Sequence, residues 1–115
     1  MVSKEEVLKT EYSTAFDELR KNRMYVSHFK YGFIKPNAQN HCVDYIETLE
    51  KRLKAYKETG NTEFMADIAN FAMIEFMYPQ HPKAHFKATD SHESPGLIGM
   101  STKEMEDFKN DIIDY

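Results

Sequence analysis

A short break between two helical segments constrains the fold of this chain more than any other feature of its sequence. The residues of the break, Thr59-Gly60-Asn61-Thr62, combine a glycine suited to the left-handed position at a helix C-terminus with side chains that can cap the next helix. Apolar residues at helical spacing predict one helix from about Asn40 to Glu58 and another from about Thr62 to Tyr78. Because so short a connection makes neighbouring helices lie antiparallel, the sequence predicts a helix hairpin.

The second helix of this hairpin is apolar on nearly all sides and carries a narrow polar stripe. Glu63, Asp67 and Asn70 fall within about 60° of one another at 100° per residue. A helix of this composition is expected to be the central buried one. Since an unpaired buried charge is costly, we expect Asp67 and Asn70 to face an enclosed polar space rather than bulk water.

Two helices are expected to flank the hairpin. Ser3 and Glu6 have the spacing of a capping box, and apolar residues at helical spacing then predict a first helix from about Ser3 to Lys21. A final helix is expected to begin near Ser101 or Thr102. The predicted fold class is therefore mainly α: an antiparallel helix hairpin with flanking N- and C-terminal helices.

Two further stretches lack a helical pattern. From Arg23 to Pro36 aromatic and basic residues partly alternate, and Gly32 interrupts any helix, so an irregular aromatic arm or a short strand pair is expected. Residues 79–100 are rich in proline and histidine and predict a long loop, a feature that is commonly functional in a small domain. With 115 residues, the chain is expected to form a single helical domain over residues 1–115.

Composition and charge exclude several classes of protein. The net charge is −4, whereas broad binding to nucleic acid needs a basic surface. The sequence contains no apolar run long enough to span a bilayer and no signal-peptide pattern at its start, so no membrane association is expected. The single cysteine, Cys42, excludes an intrachain disulfide and fits a cytoplasmic location; we expect it to be a buried helix residue rather than a nucleophile.

Charge is unevenly distributed along the chain. No acid occurs from Arg23 to His41, whereas the C-terminal stretch from Glu104 is acidic. Aromatic and cationic side chains in the basic stretch suit a nucleobase stacked on a ring with its phosphate on a cation. The common structural role for such rings is in the core, beside solvated lysines. The residues of this stretch that are expected to contact a ligand are Arg23, His28, Lys30 and Tyr31.

The long loop contains three histidines, His81, His85 and His92. Histidines four residues apart bind zinc when they lie on a helix, but Pro82 disfavours a regular helix and no paired cysteines are present, so zinc is not expected. Asp90, Ser91 and Ser94 are expected to form hydrogen-bonded turns. Alternatively, the hydroxyls of the loop together with Lys83, His85 and Lys87 donate hydrogen bonds to an anionic ligand. The loop residues proposed as ligand contacts are His85, Lys87, Asp90, Ser91 and His92.

Acidic residues on the two hairpin helices indicate a second kind of site. Glu47 and Glu50 on the first helix can face Glu63 and Asp67 on the second, and converging carboxylates of this kind bind magnesium in helical bundles. Magnesium would hold a triphosphate and position water for attack. A structural role is also open to these residues. Glu47 and Glu50 each precede a lysine by four residues, and Asp67 can pair with a buried group.

Four segments in the second half of the chain have a distinctive sequence. Residues 59–63 read TGNTE, residues 69–77 read ANFAMIEFM, residues 84–86 read AHF and residues 89–96 read TDSHESPG. In these segments the chain resembles a family of small helical proteins encoded by phages and prophages. The resemblance implies a phage context and the cytoplasm of a host cell, with no particular activity attached.

The hairpin acids carry another resemblance. Glu47-Thr48-Leu49-Glu50 is similar to the Glu-x-x-Glu of MazG-like all-α nucleotide pyrophosphohydrolases, whose next helix carries Glu-x-x-Asp. Here Glu63 and Asp67 are four residues apart, which departs from that pattern. The resemblance implies magnesium-dependent hydrolysis of a nucleoside triphosphate in a dimer or higher oligomer, with Glu47, Glu50, Glu63 and Asp67 as the metal ligands.

Three functions are open on the sequence. The leading hypothesis is a phage-type small binding protein that captures a nucleotide-like anionic molecule without a cofactor and so sequesters a host immune signal; Asp67 and Asn70 would line its pocket. The alternatives are the magnesium-dependent pyrophosphohydrolase and a protein-interaction inhibitor of a host defence enzyme. A homo-oligomer is expected, because one short chain has room for only a shallow pocket and the aromatic arm supplies surplus apolar surface.

Overall fold

The structure, a computed structural model, describes residues 1–89, and over this range the chain is mainly α, as predicted. Contacts within the chain divide it into two compact units. One unit is Ser13–Ala84, and the other contains Met1–Tyr12 and, among the described residues, 85–89. The prediction of a single domain stays a prediction. The helices are α1 (Lys4–Glu11), α2 (Thr14–Tyr31), α3 (Ile34–Gln39), α4 (Tyr45–Thr59) and α5 (Glu63–Met77).

Helix α1 starts as the capping residues predict and ends earlier than expected. The N–H of Glu6 donates to Ser3 Oγ over 3.1 Å. The backbone becomes extended at Tyr12 and Ser13, and Ser13 Oγ accepts a hydrogen bond of 3.0 Å from the N–H of Phe16 at the start of α2. A single helix from Ser3 to Lys21 is therefore wrong. The Ser13 side chain offers the backbone a capped start at this point, which competes with helix continuation.

Helix α2 includes most of the stretch that the sequence predicted as an extended arm. It runs through Tyr31 and ends at Gly32, whose φ of 79° few other residues adopt and whose N–H donates to His28 O over 2.8 Å. Helix α3 follows at once and tolerates Pro36, because the first N–H groups of a helix have no partner within it. The prediction of an irregular arm or strand pair is therefore wrong, and residues 1–89 contain no strand.

The hairpin of α4 and α5 forms as predicted. Gly60 has a φ of 72°, and its N–H donates to Tyr56 O over 2.7 Å, which ends α4. Helix α4 begins later than expected, because Asp44 caps it by accepting a hydrogen bond of 3.0 Å from the N–H of Glu47. Residues 40–44 are therefore a turn, and Cys42 within it is exposed, so its predicted burial in a helix is wrong.

A small apolar core holds α3, α4 and α5 together. Ala38, Tyr45 and Ile74 are buried, and Met24 of α2 and Phe71 of α5 pack against them. Burial raises the pKa of the Tyr45 hydroxyl above its ordinary value. None of the helices within residues 1–89 is both long enough and apolar enough to cross a bilayer.

Gln80, just beyond α5, connects this core to the turn before α4. Its Nε2 donates to Ala38 O over 3.2 Å and to Val43 O over 2.8 Å, and its Oε1 accepts from the N–H of Tyr45 over 3.4 Å. Its own N–H donates to Glu75 Oε2 over 2.8 Å. We call these contacts the Gln80 clasp. They satisfy backbone groups that no regular helix satisfies, and they fix the α3–α4 turn against the end of α5.

Candidate functional site

The polar stripe of α5 meets two arginines from other helices. Arg23 of α2 makes paired hydrogen bonds to Asp67, with 2.6 Å from Nε to Oδ1 and 3.1 Å from Nη2 to Oδ2. Its Nη1 also contacts Glu63 Oε1, and Arg52 Nε of α4 lies 3.6 Å from Asp67 Oδ2. The hydrogen bonds to Asp67 raise the pKa of Arg23. We call Arg23, Arg52, Glu63 and Asp67 the Arg23 cluster.

The Arg23 cluster accounts for three residues that the sequence singled out. Paired N–H···O contacts between arginine and a carboxylate are among the strongest polar contacts in proteins. Arg23, which was proposed to hold a ligand, is paired here with two carboxylates, those of Glu63 and Asp67. These are two of the four carboxylates that were proposed to hold magnesium. The structure therefore favours the structural role that the sequence left open for Asp67: the cluster holds α2 and α4 against α5.

Asn70 extends the polar contact between α2 and α5. Its Nδ2 donates to Arg20 O over 3.1 Å, and its Oδ1 is buried without a hydrogen-bond partner among the described residues. Asn70 is 5% exposed and the Asp67 side chain 17%, so neither faces bulk water. Beside them Arg20 Nη1 lies 3.9 Å from Met73 Sδ. The side of α2 that meets α5 is therefore largely polar.

The proposed magnesium ligands of α4 lie on the surface. Glu47 and Glu50 are exposed, and Glu47 pairs with Lys51 over 3.2 Å, the i,i+4 contact that the sequence offered as its structural role. Residues 1–89 contain no group of three or more histidine, cysteine or acidic side chains placed to hold a metal ion. Magnesium binding by Glu47, Glu50, Glu63 and Asp67 stays a prediction of the pyrophosphohydrolase hypothesis.

The end of α2 and the start of α3 form a surface of rings and cations. Tyr31 is 72% exposed and Phe33 73%, and the His28 ring packs on Phe33 with 4.5 Å between centroids. The Tyr25 and Phe29 rings meet edge to face at 5.0 Å. These rings therefore lie outside the core, contrary to their common structural role. We call this surface the basic aromatic patch, and it comprises Tyr25, His28, Phe29, Lys30, Tyr31, Phe33 and Lys35.

The cations of the basic aromatic patch have no acidic partner in the described part of the chain. Lys30 and Lys35 form no ion pair there, in contrast to Arg23 and Lys51. Since the sequence has no acid from Arg23 to His41, the patch carries an uncompensated positive charge beside exposed rings. His28, Lys30 and Tyr31, three of the predicted ligand contacts, all lie in the last turn of α2, whereas Arg23 pairs with α5.

The predicted ligand contacts of the long loop are described only in part. His85 and Lys87 are exposed and belong to the second unit. Asp90, Ser91 and His92, together with the predicted final helix, lie outside the described residues. The loop start is visible at His81, whose Nδ1 accepts a hydrogen bond of 2.9 Å from the N–H of Lys83. This contact is a local side-chain turn, and the turn role expected for Asp90, Ser91 and Ser94 falls on residues outside the described part of the chain.

A groove between the α3–α4 turn and the end of α5 was not anticipated from the sequence. Its volume is about 480 Å³. His41 in its wall has a φ of 52°, in the left-handed region that few non-glycine residues adopt, and Glu75 Oε1 is buried without a partner among residues 1–89. The capping-box spacing of Asp44 and Glu47 is the signal that would have placed this turn. The groove is lined by His41, Val43, Asp44, Ile46, Glu75, Gln80 and His81.

Comparison of the chain with protein-family models, with curated proteins and with solved structures gives no match. The resemblances to the phage-encoded family and to the pyrophosphohydrolases therefore stay predictions.

Proposed function

We propose that this protein is a phage-type small binding protein that captures a nucleotide-like anionic molecule on the basic aromatic patch. The observation that supports the proposal is the exposure of four aromatic side chains within residues 25–35, a stretch that also carries Lys30 and Lys35. Neither lysine has an acidic partner among the described residues. Exposed rings next to uncompensated cations are the combination that binds a nucleobase and its phosphate.

The patch can divide the recognition of such a ligand between rings and cations. A base stacked on Tyr31 or Phe33 would gain about 1–3 kcal/mol. A phosphate at Lys30 or Lys35 would accept charge-assisted hydrogen bonds, each worth about 1.5–3 kcal/mol. The proposal needs neither a metal nor a cofactor. In a phage context, capture of this kind would sequester a host immune signal in the host cytoplasm, a role that rests on the sequence resemblance.

The proposal includes a homo-oligomer. Small-molecule sites commonly bury 70–90% of their ligand in a concave pocket, whereas the patch is an open surface on one chain. A second copy beside the patch would supply the missing wall. The oligomer is therefore part of the proposed binding site rather than a separate property.

Calorimetric titration with nucleoside triphosphates, cyclic dinucleotides and ADP-ribose tests the proposal. We expect at least one of these probes to bind, and the double substitution Lys30→Ala, Lys35→Ala to weaken its binding at least tenfold by removing both phosphate contacts. Substitution Phe33→Ala should weaken it by a similar factor through lost stacking. The matched control is Lys54→Ala, Lys57→Ala, which removes two exposed lysines from α4 and should leave binding unchanged.

Two results would overturn the proposal. One is no binding of any probe at millimolar concentration. The other is an equal loss of affinity in the patch variant and in the α4 control, because binding would then depend on net charge alone.

Turnover separates the proposal from the enzyme hypothesis. If Glu47 and Glu50 help to hold magnesium, the protein should release pyrophosphate from a nucleoside triphosphate, and Glu50→Gln should abolish the release. Glu50 is exposed, so this substitution should leave the fold intact. Absence of pyrophosphate with both magnesium and manganese would remove the enzyme hypothesis. The protein-interaction hypothesis depends on acidic residues that lie outside the described part of the chain.

A further inference from the structure

Helix α2 carries partly buried charges on one side and exposed apolar residues on the other. The side that meets α5 carries Arg20 and Arg23, both partly buried, besides Met24, which packs against the core. The opposite side carries Leu19, Val26 and Phe29, all exposed. A surface helix commonly turns its apolar side to the core and its charges to water. The exposed residues therefore leave an apolar helix face in solvent.

The exposed face has the spacing of a helix-pairing seam. Leu19, Asn22, Val26 and Phe29 follow one another at intervals of three, four and three residues, the a and d positions of a heptad. On one chain this seam lies in solvent: Val26 is 53% exposed and Phe29 71%. We call these four residues the α2 seam. A seam with this spacing is suited to side-by-side packing against another helix.

The exposed rings supply about half of the area that a dimer requires. At about 200 Å² for a whole aromatic side chain, Tyr25, Phe29 and Phe33 leave about 400 Å² of ring surface uncovered on each chain. A standard interface buries about 800 Å² per partner. Leu19 and Val26 of the seam are exposed as well and add to the area of the rings.

The chemistry of the seam fits a second copy of the same chain. The seam itself carries no charge, and the nearby Glu18 pairs with Lys21 over 3.5 Å, so the four seam residues bring no like charges together. Asn22 lies at its middle, and an asparagine side chain carries both a donor and an acceptor, so it can pair with its own counterpart. A single polar residue in such a seam commonly sets the register of helix pairing.

We propose that two copies of the chain associate through the α2 seam in a symmetric dimer, with the two Asn22 side chains facing each other at the two-fold axis. The inference deepens the homo-oligomer of the proposed function and rests on that part of it, independently of any ligand. Phe29 belongs to both the seam and the basic aromatic patch, so the partner lies beside the patch and contributes a wall to it.

Light scattering after size exclusion tests the dimer. The full chain is expected to have twice its 13.5 kDa mass at micromolar concentration. Val26→Lys places a charge in the seam without touching the patch, and we expect it to raise the dimer dissociation constant at least 100-fold. Leu53→Lys, an equivalent change at an exposed apolar residue of α4, should leave the dimer intact. Circular dichroism of both variants checks that they keep the wild-type helix content.

Oxidative cross-linking tests whether the two Asn22 positions lie close together. In a Cys42→Ser background, Asn22→Cys should form a covalent dimer within minutes of oxidation. Ser27→Cys lies about 140° around α2 from Asn22 and should not. A wild-type monomer at 100 μM, or equal cross-linking at both positions, would show the inference to be wrong. A wild-type monomer that still binds a nucleotide would contradict the dimer and support nucleotide binding by the patch of one chain. A dimer that binds no nucleotide would support the dimer and contradict nucleotide binding.

Discussion

Replacing Asp67 with alanine is expected to lower the free energy of unfolding by about 3 kcal/mol. Removing one partner of a paired charge costs about 3–5 kcal/mol when the pair is fully buried. The Arg23 cluster is only partly shielded, with the Asp67 side chain 17% exposed and that of Arg23 34%, so the lower end applies. The loss would leave Arg23 and Arg52 near each other with only Glu63 for compensation. Urea unfolding followed by circular dichroism measures the change.

The double variant Arg23→Ala, Asp67→Ala shows whether the pair itself causes this loss. If it does, the sum of the two single-variant losses in the free energy of unfolding should exceed the loss in the double variant by at least about 1 kcal/mol. Glu63→Ala is the matched control, because the Glu63 side chain is 55% exposed and its loss should cost less than about 1 kcal/mol. A cost for Asp67→Ala no larger than that of the control would contradict the structural role of the cluster.

The cluster should also be insensitive to alkaline pH. A cation whose pKa is raised on folding contributes stability that is fully present below its unfolded pKa and lost only as pH rises through the folded value. The pKa of Arg23 is raised from an ordinary value that is already far above neutrality. The contribution of Arg23 therefore persists throughout the range in which proteins are normally handled.

The hairpin was predictable because its signals are local. Gly60 ends α4 and Glu63 begins α5 within a few residues of each other, and the apolar pattern of α5 is almost uninterrupted. The same pattern showed that Asp67 needs a partner. It did not identify Arg23, which lies 44 residues earlier in the sequence. Local spacing predicts that a buried acid is paired, whereas the identity of its partner depends on how the helices pack.

The arm was mispredicted because most of its apolar residues, unlike Met24, do not face the core. Val26 and Phe29 are three residues apart and Tyr25 and Phe29 four, which is helical spacing, but the charged residues Arg20 and Arg23 also lie three residues apart. The mixture of apolar and charged residues resembled strand alternation because one side of α2 carries the apolar seam and another side carries the paired charges. A sequence rule that assigns charges to solvent cannot detect this arrangement.

The largest effect outside the Arg23 cluster is expected at Gln80. Gln80→Ala removes contacts to Ala38 O, Val43 O and the N–H of Tyr45. Val43 O and the N–H of Tyr45 lose the partner described here, whereas Ala38 O keeps a hydrogen bond of 3.1 Å from the N–H of His41. At about 1 kcal/mol for each hydrogen bond, with the 3.4 Å contact to Tyr45 the weakest, we expect a loss of about 2–3 kcal/mol. No sequence pattern indicates this role, because these partners lie 35 to 42 residues away.

Gln80→Glu tests whether the hydrogen bonds donated by the Gln80 side chain stabilise the α3–α4 turn, or whether any substitution at this position destabilises it. A carboxylate cannot donate to the carbonyls of Ala38 and Val43, so at neutral pH the loss should be at least as large as for alanine. Those carbonyls favour the protonated form and so raise the pKa of the new carboxyl above the usual glutamate value of about 4.3. The cost is therefore present above the raised pKa, and below about pH 4 the protonated carboxyl donates one hydrogen bond again. Stability relative to wild type at the same pH should then recover by about 1 kcal/mol.

Gln39→Ala, at an exposed glutamine of α3, is the control and should cost less than about 0.5 kcal/mol at either pH. A loss in Gln80→Glu that does not vary with pH would mean that the hydrogen bonds of the Gln80 side chain do not fix the α3–α4 turn.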